Sequence, residues 1–328
     1  MKEKVLITGA SGFVGYHLIV EALQNNLEVY AAVRKNSKVD HLKDLPIQYV
    51  YLDYSDIESL KSELKDKQYD YIIHAAGVTR AISADEYDLI NADYTANLAN
   101  AAVQSGINLK KFVLISSLAA IGPLKGMNGI ITEDTNPNPI TAYGKSKLLA
   151  EHKLRAVKNL NYIILRPTAV YGPRDTGIFI FFKQVSKRLE AYIGRGQQKL
   201  SFIYVTDLAK ASIRALYTGV NNTYNLSDGN FYDKYELGQL TKTILNVKTL
   251  KIHLLVNFVK LIAAVSEKAS SLRNTAPILN LEKLDELTAV NWSCSIELAK
   301  QELGFYPQYL LAAGLTETLK WYRDNKWL

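Results

Sequence analysis

The first fifteen residues constrain the fold more than any other stretch of this chain. Residues 5–7 (Val-Leu-Ile) form a short apolar run of the kind that fills the middle of a parallel sheet. Gly9, Gly12 and Gly15 follow at a G-x-x-G-x-x-G spacing, and a helical pattern covers residues 16–24. A glycine-rich turn between a strand and a helix lets the backbone approach a pyrophosphate at the helix N-terminus. The stretch therefore predicts a dinucleotide-binding turn, with an ordinary glycine-rich βα turn as the alternative.

Composition and charge narrow the class of protein. Of the 328 residues, 48% are hydrophobic and 22% charged, as in a soluble globular protein of one large domain or two joined ones. The net charge is +7, but the cations are scattered, which favours a small-molecule partner over nucleic acid. Cys294 is the only cysteine, so an intrachain disulfide and a cysteine-based zinc site are excluded, and no metal site is predicted. No signal peptide precedes the first strand, so a cytoplasmic location is expected.

The first half of the chain alternates strands with helices. Strands are predicted at 5–7, 27–33, 47–52, 69–74, 111–115 and 162–165. Helices are predicted at 16–24, 55–65, 86–105 and 141–158, with Ser55 or Asp56 as the cap of the second. Alternation at this interval builds right-handed βαβ units. The predicted fold class is therefore α/β, a Rossmann-like doubly wound parallel sheet.

The pattern changes after Val170. Helices are predicted at 178–189, 207–217 and 235–245, a short strand at 201–205, and a strand at 224–226 that returns to the edge of the main sheet. We expect residues 1–170 and 202–227 to form an NADP-binding Rossmann domain. Residues 171–201 and 228–328 are expected to form a smaller interleaved α/β C-terminal substrate lobe. Such a lobe would cover the carboxyl edges of the strands, where these sheets bind ligands.

The most apolar segment of the chain covers residues 252–265, within the stretch 251–272. It is too short to span a bilayer, and Asn257 and Lys260 interrupt it. Burial in the substrate lobe is the favoured interpretation. A lid over an apolar substrate and an interfacial helix at a membrane surface are the alternatives.

Tyr143 and Lys147 are the strongest candidates for chemistry. They are four residues apart on a predicted helix, so their side chains share one face. A free tyrosine has a pKa of about 10, and a neighbouring ammonium group favours the phenolate and lowers that pKa. Tyr143 would then exchange a proton with a carbonyl or alcohol oxygen near neutral pH. A hydroxyl at the end of the fifth strand, from Ser116 or Ser117, would hold the same oxygen.

With these residues in place, the sequence resembles the extended short-chain dehydrogenase/reductase family, the NAD-dependent epimerase/dehydratase group. The resemblance covers nearly the whole chain, and it looks strongest to the dihydroflavonol-reductase-like and 3β-hydroxysteroid-dehydrogenase-like branch. The motifs that carry it are Thr8-Gly-Ala-Ser-Gly-Phe-Val-Gly15, His74-Ala-Ala-Gly77, Ser116-Ser117 with Gly122-Pro123, Tyr143…Lys147, Arg166-Pro167, Tyr171-Gly-Pro-Arg174 and Ser201-Phe-Ile-Tyr-Val-x-Asp207.

The resemblance implies a catalytic set of Ser117, Tyr143 and Lys147, in which Lys147 also binds the nicotinamide ribose. It implies that Asn91 supports the active-site helix, and that the chain forms a homodimer through the helices at 86–105 and 141–158. The residues expected to bind the cofactor are Gly9, Ser11, Gly12, Phe13, Val14, Gly15, Arg34, Lys35, Leu52, Asp53, Ala75, Ala76, Gly77, Val78, Ser116, Tyr143, Lys147, Pro167, Thr168, Ala169, Val170 and Arg174. The candidate substrate contacts are Arg80, Ser117, Phe179 and Tyr204.

The end of the second strand bears on the choice of cofactor. An acidic residue there binds the adenine-ribose hydroxyls of NAD, whereas an arginine accommodates the 2′-phosphate of NADP. Here the strand ends in Arg34 and Lys35, without a carboxylate. The sequence therefore predicts NADP(H) in preference to NAD(H), with Arg34 as the main contact and Lys35 or Lys38 assisting. A solvated basic turn is the alternative.

Three functions are compatible with this pattern. We favour a reductase or dehydrogenase that acts on the hydroxyl/ketone pair of an apolar small molecule. The second is a nucleotide-sugar epimerase or dehydratase, whose members usually carry an arginine where this chain has Leu200, and an asparagine after Tyr-Gly-Pro where residues 178–182 are apolar here. The third is a cofactor-binding sensor without catalysis, which the retention of Ser117, Tyr143 and Lys147 disfavours.

Overall fold

The computed structural model describes residues 2–219, 221–272, 275–277 and 279–328, and only the backbone of residues 269, 271 and 272. The strands in these residues are β1 (Lys4–Thr8), β2 (Glu28–Ala32), β3 (Gln48–Val50), β4 (Tyr71–His74), β5 (Lys111–Ile115), β6 (Tyr162–Pro167), β7 (Ala169–Tyr171), β8 (Leu189–Ile193), β9 (Lys199–Leu200), β10 (Phe202–Tyr204), β11 (Asn222–Leu226), β12 (Tyr232–Asp233) and β13 (Leu250–Leu254). The α-helices are α1 (Phe13–Gln24), α2 (Ile57–Lys67), α3 (Ala84–Tyr87), α4 (Tyr94–Gln104), α5 (Ala142–Ala156), α6 (Phe179–Ser186), α7 (Val205–Leu216), α8 (Glu236–Leu245), α9 (Val256–Leu272), α10 (Leu281–Thr288), α11 (Glu297–Leu303) and α12 (Leu311–Asp324).

Seven strands form the main sheet, in the order β11-β6-β5-β4-β1-β2-β3, and every neighbouring pair is parallel. The chain moves outward from β1 to β3 and then returns to β4 on the other side of β1. The strand order therefore reverses beside β1, which is where doubly wound sheets bind their ligands. The predicted fold class is confirmed, and the strand predicted at 224–226 joins the edge of the sheet as β11.

Helices cover both faces of the sheet, which explains the apolar run at the start of the chain. Val5 and Ile7 pack with α1, α7 and α11 on one face, while Leu6 packs with α2, α4 and α5 on the other. All three side chains are fully buried. A strand covered on both faces needs successive apolar residues rather than an alternating pattern. Asp56 is the cap of α2, since its carboxylate accepts from the backbone of Glu58 and Ser59.

A separate hydrophobic cluster joins α6, α8 and α12 to the short parallel pair β7–β10. The helix predicted at 178–189 ends as α6 at Ser186, and β8 follows it. The positive φ of Arg188, 66°, reverses the chain between the two elements, which hydrophobic periodicity does not reveal. The cluster includes Phe202 and Tyr204 of β10, which the sequence analysis assigns to the Rossmann domain, as well as residues of the predicted substrate lobe. The boundaries of the lobe stay a prediction.

The favoured burial of the apolar segment at 252–265 is wrong for most of its side chains. The segment forms the end of β13 and the first part of α9. Val259 and Ala263 are buried, but Leu255 is 77% exposed, Leu261 63% and Val265 61%. The reason is geometric, because only one side of α9 faces the lobe. Within the described part of the chain, no helix combines the length and the apolar character that crossing a membrane requires.

A candidate active site at the carboxyl edge of the sheet

The glycine-rich turn lies between β1 and α1, and its backbone packs too closely for side chains. Gly9 has a φ of +68°, and a Cβ on it would lie 2.6 Å from the carbonyl oxygen of Ala75. A Cβ on Gly15 would lie 2.2 Å from the carbonyl oxygen of Gly9. Gly12 is the N-cap of α1 and leaves that helix end without a side-chain cap. The turn is therefore shaped to bring an anionic group against the N-terminus of α1.

Other residues predicted to bind the cofactor follow neighbouring strands. Ser11 belongs to the turn, and Phe13 and Val14 begin α1. Arg34, Lys35 and Lys38 are exposed after β2, and the backbone N–H of Arg34 donates to the Ser37 hydroxyl at 3.1 Å. The half-buried Leu52 and the exposed Asp53 follow β3. The Asp53 carboxylate accepts from the hydroxyl of Ser55 at 2.6 Å and from its backbone N–H at 2.9 Å, and these hydrogen bonds lower the pKa of Asp53.

Asn91 connects the segment after β4 to α5, as the resemblance implies. Its side-chain oxygen accepts from the Val78 backbone N–H at 2.8 Å, and its amide donates to the Val78 carbonyl at 3.0 Å and the Ser146 hydroxyl at 2.9 Å. Asn91 lies in a π-helical turn, residues Asp88–Asp93, between α3 and α4. The sequence predicts a regular helix there. Such turns are rare and occur often at functional sites.

Ser117 and Tyr143 meet at the end of β5, whereas Ser116 turns into the protein. The Ser117 hydroxyl accepts from the Ala119 backbone N–H at 3.2 Å, and it lies close enough to Tyr143 to offset part of the increase that burial causes in the pKa of Tyr143. The Ser116 hydroxyl is buried and donates to the Glu151 carboxylate at 2.6 Å. Of the two serines that the residue pattern leaves open, the structure thus brings Ser117 to the tyrosine.

The predicted lowering of the Tyr143 pKa by Lys147 is wrong in this structure. Burial raises the pKa of Tyr143 to about 12, and the nearby Glu286 carboxylate and Tyr87 add to the increase. The Lys147 ammonium instead donates to the backbone carbonyl of Ile115 at 2.7 Å. Its Nζ also lies 3.9 Å from where a Cβ on Gly77 would be. Lys147 therefore lies between the end of β5 and the segment after β4.

Glu151 is an important residue that the sequence analysis did not identify. It is fully buried and accepts two hydrogen bonds from Arg166, at 2.6 and 2.9 Å, besides the one from Ser116. Its negative charge raises the pKa of Lys147, although burial is the larger effect and lowers that pKa to about 8. The signal was available, because Glu151 follows Lys147 by four residues and so shares its helix face.

The segment after β6 contains an unpaired polar group. Pro167 is buried, and the Thr168 backbone donates to the Leu226 carbonyl at 2.9 Å, while Ala169 is exposed and Val170 half-buried. The Thr168 hydroxyl oxygen is buried and has no hydrogen-bond partner among the described residues. Buried hydroxyls are rarely left unpaired. Together with the turn at Gly9, this atom fits a site that is completed by a bound dinucleotide.

The candidate substrate contacts lie in two different parts of the structure. Phe179 packs against Tyr322, with ring centroids 4.8 Å apart, and Tyr204 packs against Tyr309 at 4.4 Å. Both rings pack in the hydrophobic cluster of α6, α8 and α12, and neither lines the cavity that lies at the start of α5, so their contact with substrate stays a prediction. Arg80 is exposed and lies near Tyr87, whose ring contacts Tyr143; burial raises the pKa of Tyr87, and the Arg80 charge offsets a small part of that increase.

Arg174 lies beside the start of α1. Its guanidinium stacks over the Tyr16 ring at 4.2 Å and near the Trp321 ring at 5.4 Å. Tyr16 directly follows Gly15, so Arg174 brings positive charge to the first turn of α1. The backbone of Arg174 has a φ of +75°, an uncommon conformation for a residue with a side chain.

A cavity of about 320 Å³ lies at the start of α5, and Tyr143 itself does not line it. Ala142, the residue before Tyr143, and Tyr87, whose ring contacts Tyr143, line one side, and Glu267 of α9 and Glu282 of α10 line the other. Glu282 also accepts a hydrogen bond from the Ala142 backbone at 2.7 Å, which ties α10 to the start of α5. No lysine or arginine lines the cavity in the part of the chain that the structure describes.

The sequence model of the NAD-dependent epimerase/dehydratase family matches residues 5–227, and the chain belongs to that family. It is therefore an enzyme of a family of nicotinamide-dependent epimerases, dehydratases and reductases, as the sequence analysis predicts. Solved structures with a similar fold include complexes with NAD.

Similar proteins include both reductases and epimerases. The chain is 28% identical to a ceramide reductase from Caulobacter vibrioides, over 99% of this chain and 96% of that protein. It is 26% identical to a UDP-glucose 4-epimerase from Vibrio cholerae, over 97% and 95% respectively. The crystal structure of gox2253 superposes with a TM-score of 0.79 at 26% identity and covers 99% of both chains.

Proposed function

We propose that this protein is a reductase or dehydrogenase that transfers a hydride between NADP(H) and the hydroxyl/ketone pair of an uncharged, mainly apolar small molecule. The observation that carries the proposal is the lining of the cavity at the start of α5, which reaches Ala142, the residue before Tyr143. Its described lining contains the carboxylates of Glu267 and Glu282 and no cation. A nucleoside diphosphate carries at least two negative charges, which these carboxylates would repel. An uncharged ketone meets no such penalty.

Each member of the catalytic set has a distinct task in this proposal. The nicotinamide supplies the hydride when the cofactor is bound. Tyr143 donates its phenolic proton to the carbonyl oxygen as the carbonyl carbon becomes that of an alcohol, and Ser117 holds the same oxygen. With a pKa of about 12, Tyr143 is protonated near neutral pH, as a proton donor must be. Lys147, held by the Ile115 carbonyl, faces the segment where the nicotinamide ribose would lie.

The preference for NADP(H) rests on Arg34 and Lys35, which are exposed after β2. The sequence places no carboxylate at that strand end to bind the adenine-ribose hydroxyls of NAD. Titration of both cofactors tests the preference, and NADP is expected to bind more tightly.

Similarity to the ceramide reductase supports a lipid-like ketone as the substrate class. The second candidate is a nucleotide-sugar epimerase, which the Vibrio cholerae relative favours. At the place where such enzymes usually carry an arginine, this chain has Leu200, half-buried in β9. The neighbouring Lys199 extends its ammonium group over the Phe231 ring, at 4.8 Å from the ring centroid.

A substrate panel separates the two candidates. Purified protein would be incubated with NADPH and either long-chain ketones in detergent or UDP- and dTDP-sugars. Ketone-dependent NADPH oxidation that Tyr143→Phe abolishes supports the proposal. Clean interconversion of a sugar nucleotide without net NADPH oxidation supports the epimerase instead. If neither occurs and Tyr143→Phe leaves cofactor binding intact, the protein is a cofactor-binding sensor.

The proposal extends to the organisation of the protein. It includes a cofactor-binding domain and a substrate lobe with the boundaries given above, a homodimer through α4 and α5, and a cytoplasmic location. Light scattering of the purified protein gives the oligomeric state directly, and a monomeric mass would refute the dimer.

A further inference from the structure

One side of α9 exposes apolar side chains to solvent. The exposed apolar residues on α9 and just before it are Leu255, Phe258, Leu261, Ile262 and Val265. At about 100° per residue they fall in a single arc about 120° wide. The buried Val259 and Ala263 lie on a different side, toward the lobe. We refer to the five exposed residues as the apolar arc of α9.

The remaining exposed surface of α9 is polar and positively charged. Asn257 and Lys268 are exposed beside the apolar arc, whereas Lys260 is exposed on the opposite side of the helix. Glu267 is the only acidic residue of the helix. Its carboxylate accepts from the Leu281 backbone at 2.8 Å and lines the cavity, so it lies on the inner side. The charge that α9 presents beside the apolar arc is therefore that of Lys268.

More cations surround the start of α9. Burial and then the positive charges of Arg195, Lys234 and Lys251 lower the pKa of His253, which places these cations around it. Arg195 and Lys251 are exposed and available to a partner, whereas Lys234 is buried and donates to the Gly194 carbonyl at 3.3 Å. A Cβ on Gly194 would lie 3.0 Å from the side chain of Val256, which places the loop of Arg195 against the first turn of α9. The apolar arc thus has positive charge beside it both along the helix and at its N-terminal end.

We propose that α9 docks on the surface of an anionic phospholipid bilayer, with the apolar arc in the acyl boundary and the surrounding cations at lipid phosphates. Charge complementarity selects this occupant. A two-fold contact between two copies of the chain would bring the same cations together, whereas an anionic bilayer neutralises them. A helix with an apolar face and lysines on its polar face is typical of interfacial binding. The inference stands independently of the proposed reaction.

Flotation with lipid vesicles tests this docking without any measurement of turnover. The full-length protein would be mixed with vesicles of phosphatidylcholine and phosphatidylglycerol (7:3) or of phosphatidylcholine alone. We expect binding to the anionic vesicles, weaker binding to the neutral ones, and release at high salt. Leu261→Glu should reduce the bound fraction at least about tenfold, because it places a charge in the apolar arc. Tyr306→Glu is the matched control, since Tyr306 is 69% exposed on the loop after α11, and it should bind as wild type.

Several outcomes would overturn the inference. The first is wild-type protein that does not float with anionic vesicles, and the second is a Leu261→Glu variant that floats as well as wild type. The third is equal binding to both vesicle types at all salt concentrations, which removes the role of the cations. The fourth is self-association in solution that Leu261→Glu abolishes, because the arc is then covered by a second copy. In every case, activity toward soluble ketones is a separate result.

Discussion

The helices α5 and α9 both carry apolar and polar faces, but they place them in opposite surroundings. On α5, Ser146, Lys147 and Glu151 are buried, and each makes a hydrogen bond to another part of the chain. On α9, the apolar arc faces solvent instead. Buried polar groups are tolerated only with their partners in place, so the α5 region is fixed by its own contacts. The side chains of the apolar arc face solvent, so the free energy of this surface depends on what covers it.

This contrast implies different responses to substitution. Changes around α5 should disturb catalysis or stability strongly, because they leave charges or hydroxyls unpaired inside the protein. Changes on the arc of α9 should leave the fold intact and alter only association with a surface. The following substitutions test the α5 side of the contrast and, last, the cofactor contact after β2, beginning with the largest expected effect.

Removal of the Tyr143 hydroxyl should have the largest effect. We expect Tyr143→Phe to lower kcat for ketone reduction by about 10²–10⁴, because the proton donor is lost, while the Kd for NADPH stays nearly constant. Steady-state kinetics and cofactor titration measure the two quantities. Tyr217→Phe is the control, since Tyr217 is exposed at the end of α7. Retention of full activity in Tyr143→Phe would remove the tyrosine from the mechanism.

Glu151→Gln should destabilise the fold by about 3–5 kcal/mol, because Arg166 loses its buried counter-charge. Chemical denaturation measures the free energy of unfolding. Glu58→Gln is the matched control on α2, where Glu58 pairs with Lys61 at the surface, and it should change stability by less than about 0.5 kcal/mol. Equally small effects of the two substitutions on the free energy of unfolding would show that the buried Glu151–Arg166 pair is not specially important for stability.

The free energy of unfolding should depend on pH through the titration of Lys147. Its pKa is about 8 in the folded protein and 10.5 ordinarily, so between these values the unfolded chain binds more protons than the folded one. The free energy of unfolding therefore rises with pH across this window, by up to about 3 kcal/mol from this group. The difference between wild type and Lys147→Met, followed by denaturation from pH 7 to pH 10.5, isolates the effect. Parallel pH profiles would contradict it.

Arg34→Ala should have the smallest effect of this series. We expect the Kd for NADP to increase about 10- to 100-fold with little change for NAD, because only NADP carries the 2′-phosphate. Isothermal titration measures both constants, and Lys38→Ala should weaken NADP binding less. Tighter binding of NAD in wild type, unaltered by Arg34→Ala, would refute the cofactor assignment.

The sequence predicts the main sheet well because strands covered on both faces leave long apolar runs, as at residues 5–7. The glycine turn is equally readable, since the close approach of Gly9 to Ala75 permits no side chain. The electrostatics of Tyr143 could not be predicted, because they depend on burial and on where the Lys147 ammonium points. For Phe179, Tyr204 and α9 as well, the sequence does not show what surrounds the apolar side chains. An apolar pattern in the sequence indicates a surface that is shielded from water. It does not show whether the protein core, the substrate or another partner shields that surface, because this depends on the fold.

The most direct test uses NADPH that carries deuterium at both C4 positions of the dihydronicotinamide, so that transfer from either face is detected. The protein would be incubated with this cofactor and the best apolar ketone of the panel, and the alcohol analysed by mass spectrometry. The account predicts one deuterium on the carbinol carbon for each NADPH consumed, and none with Tyr143→Phe. Interconversion of a sugar nucleotide, with neither net NADPH oxidation nor deuterium in any ketone-derived alcohol, would contradict it.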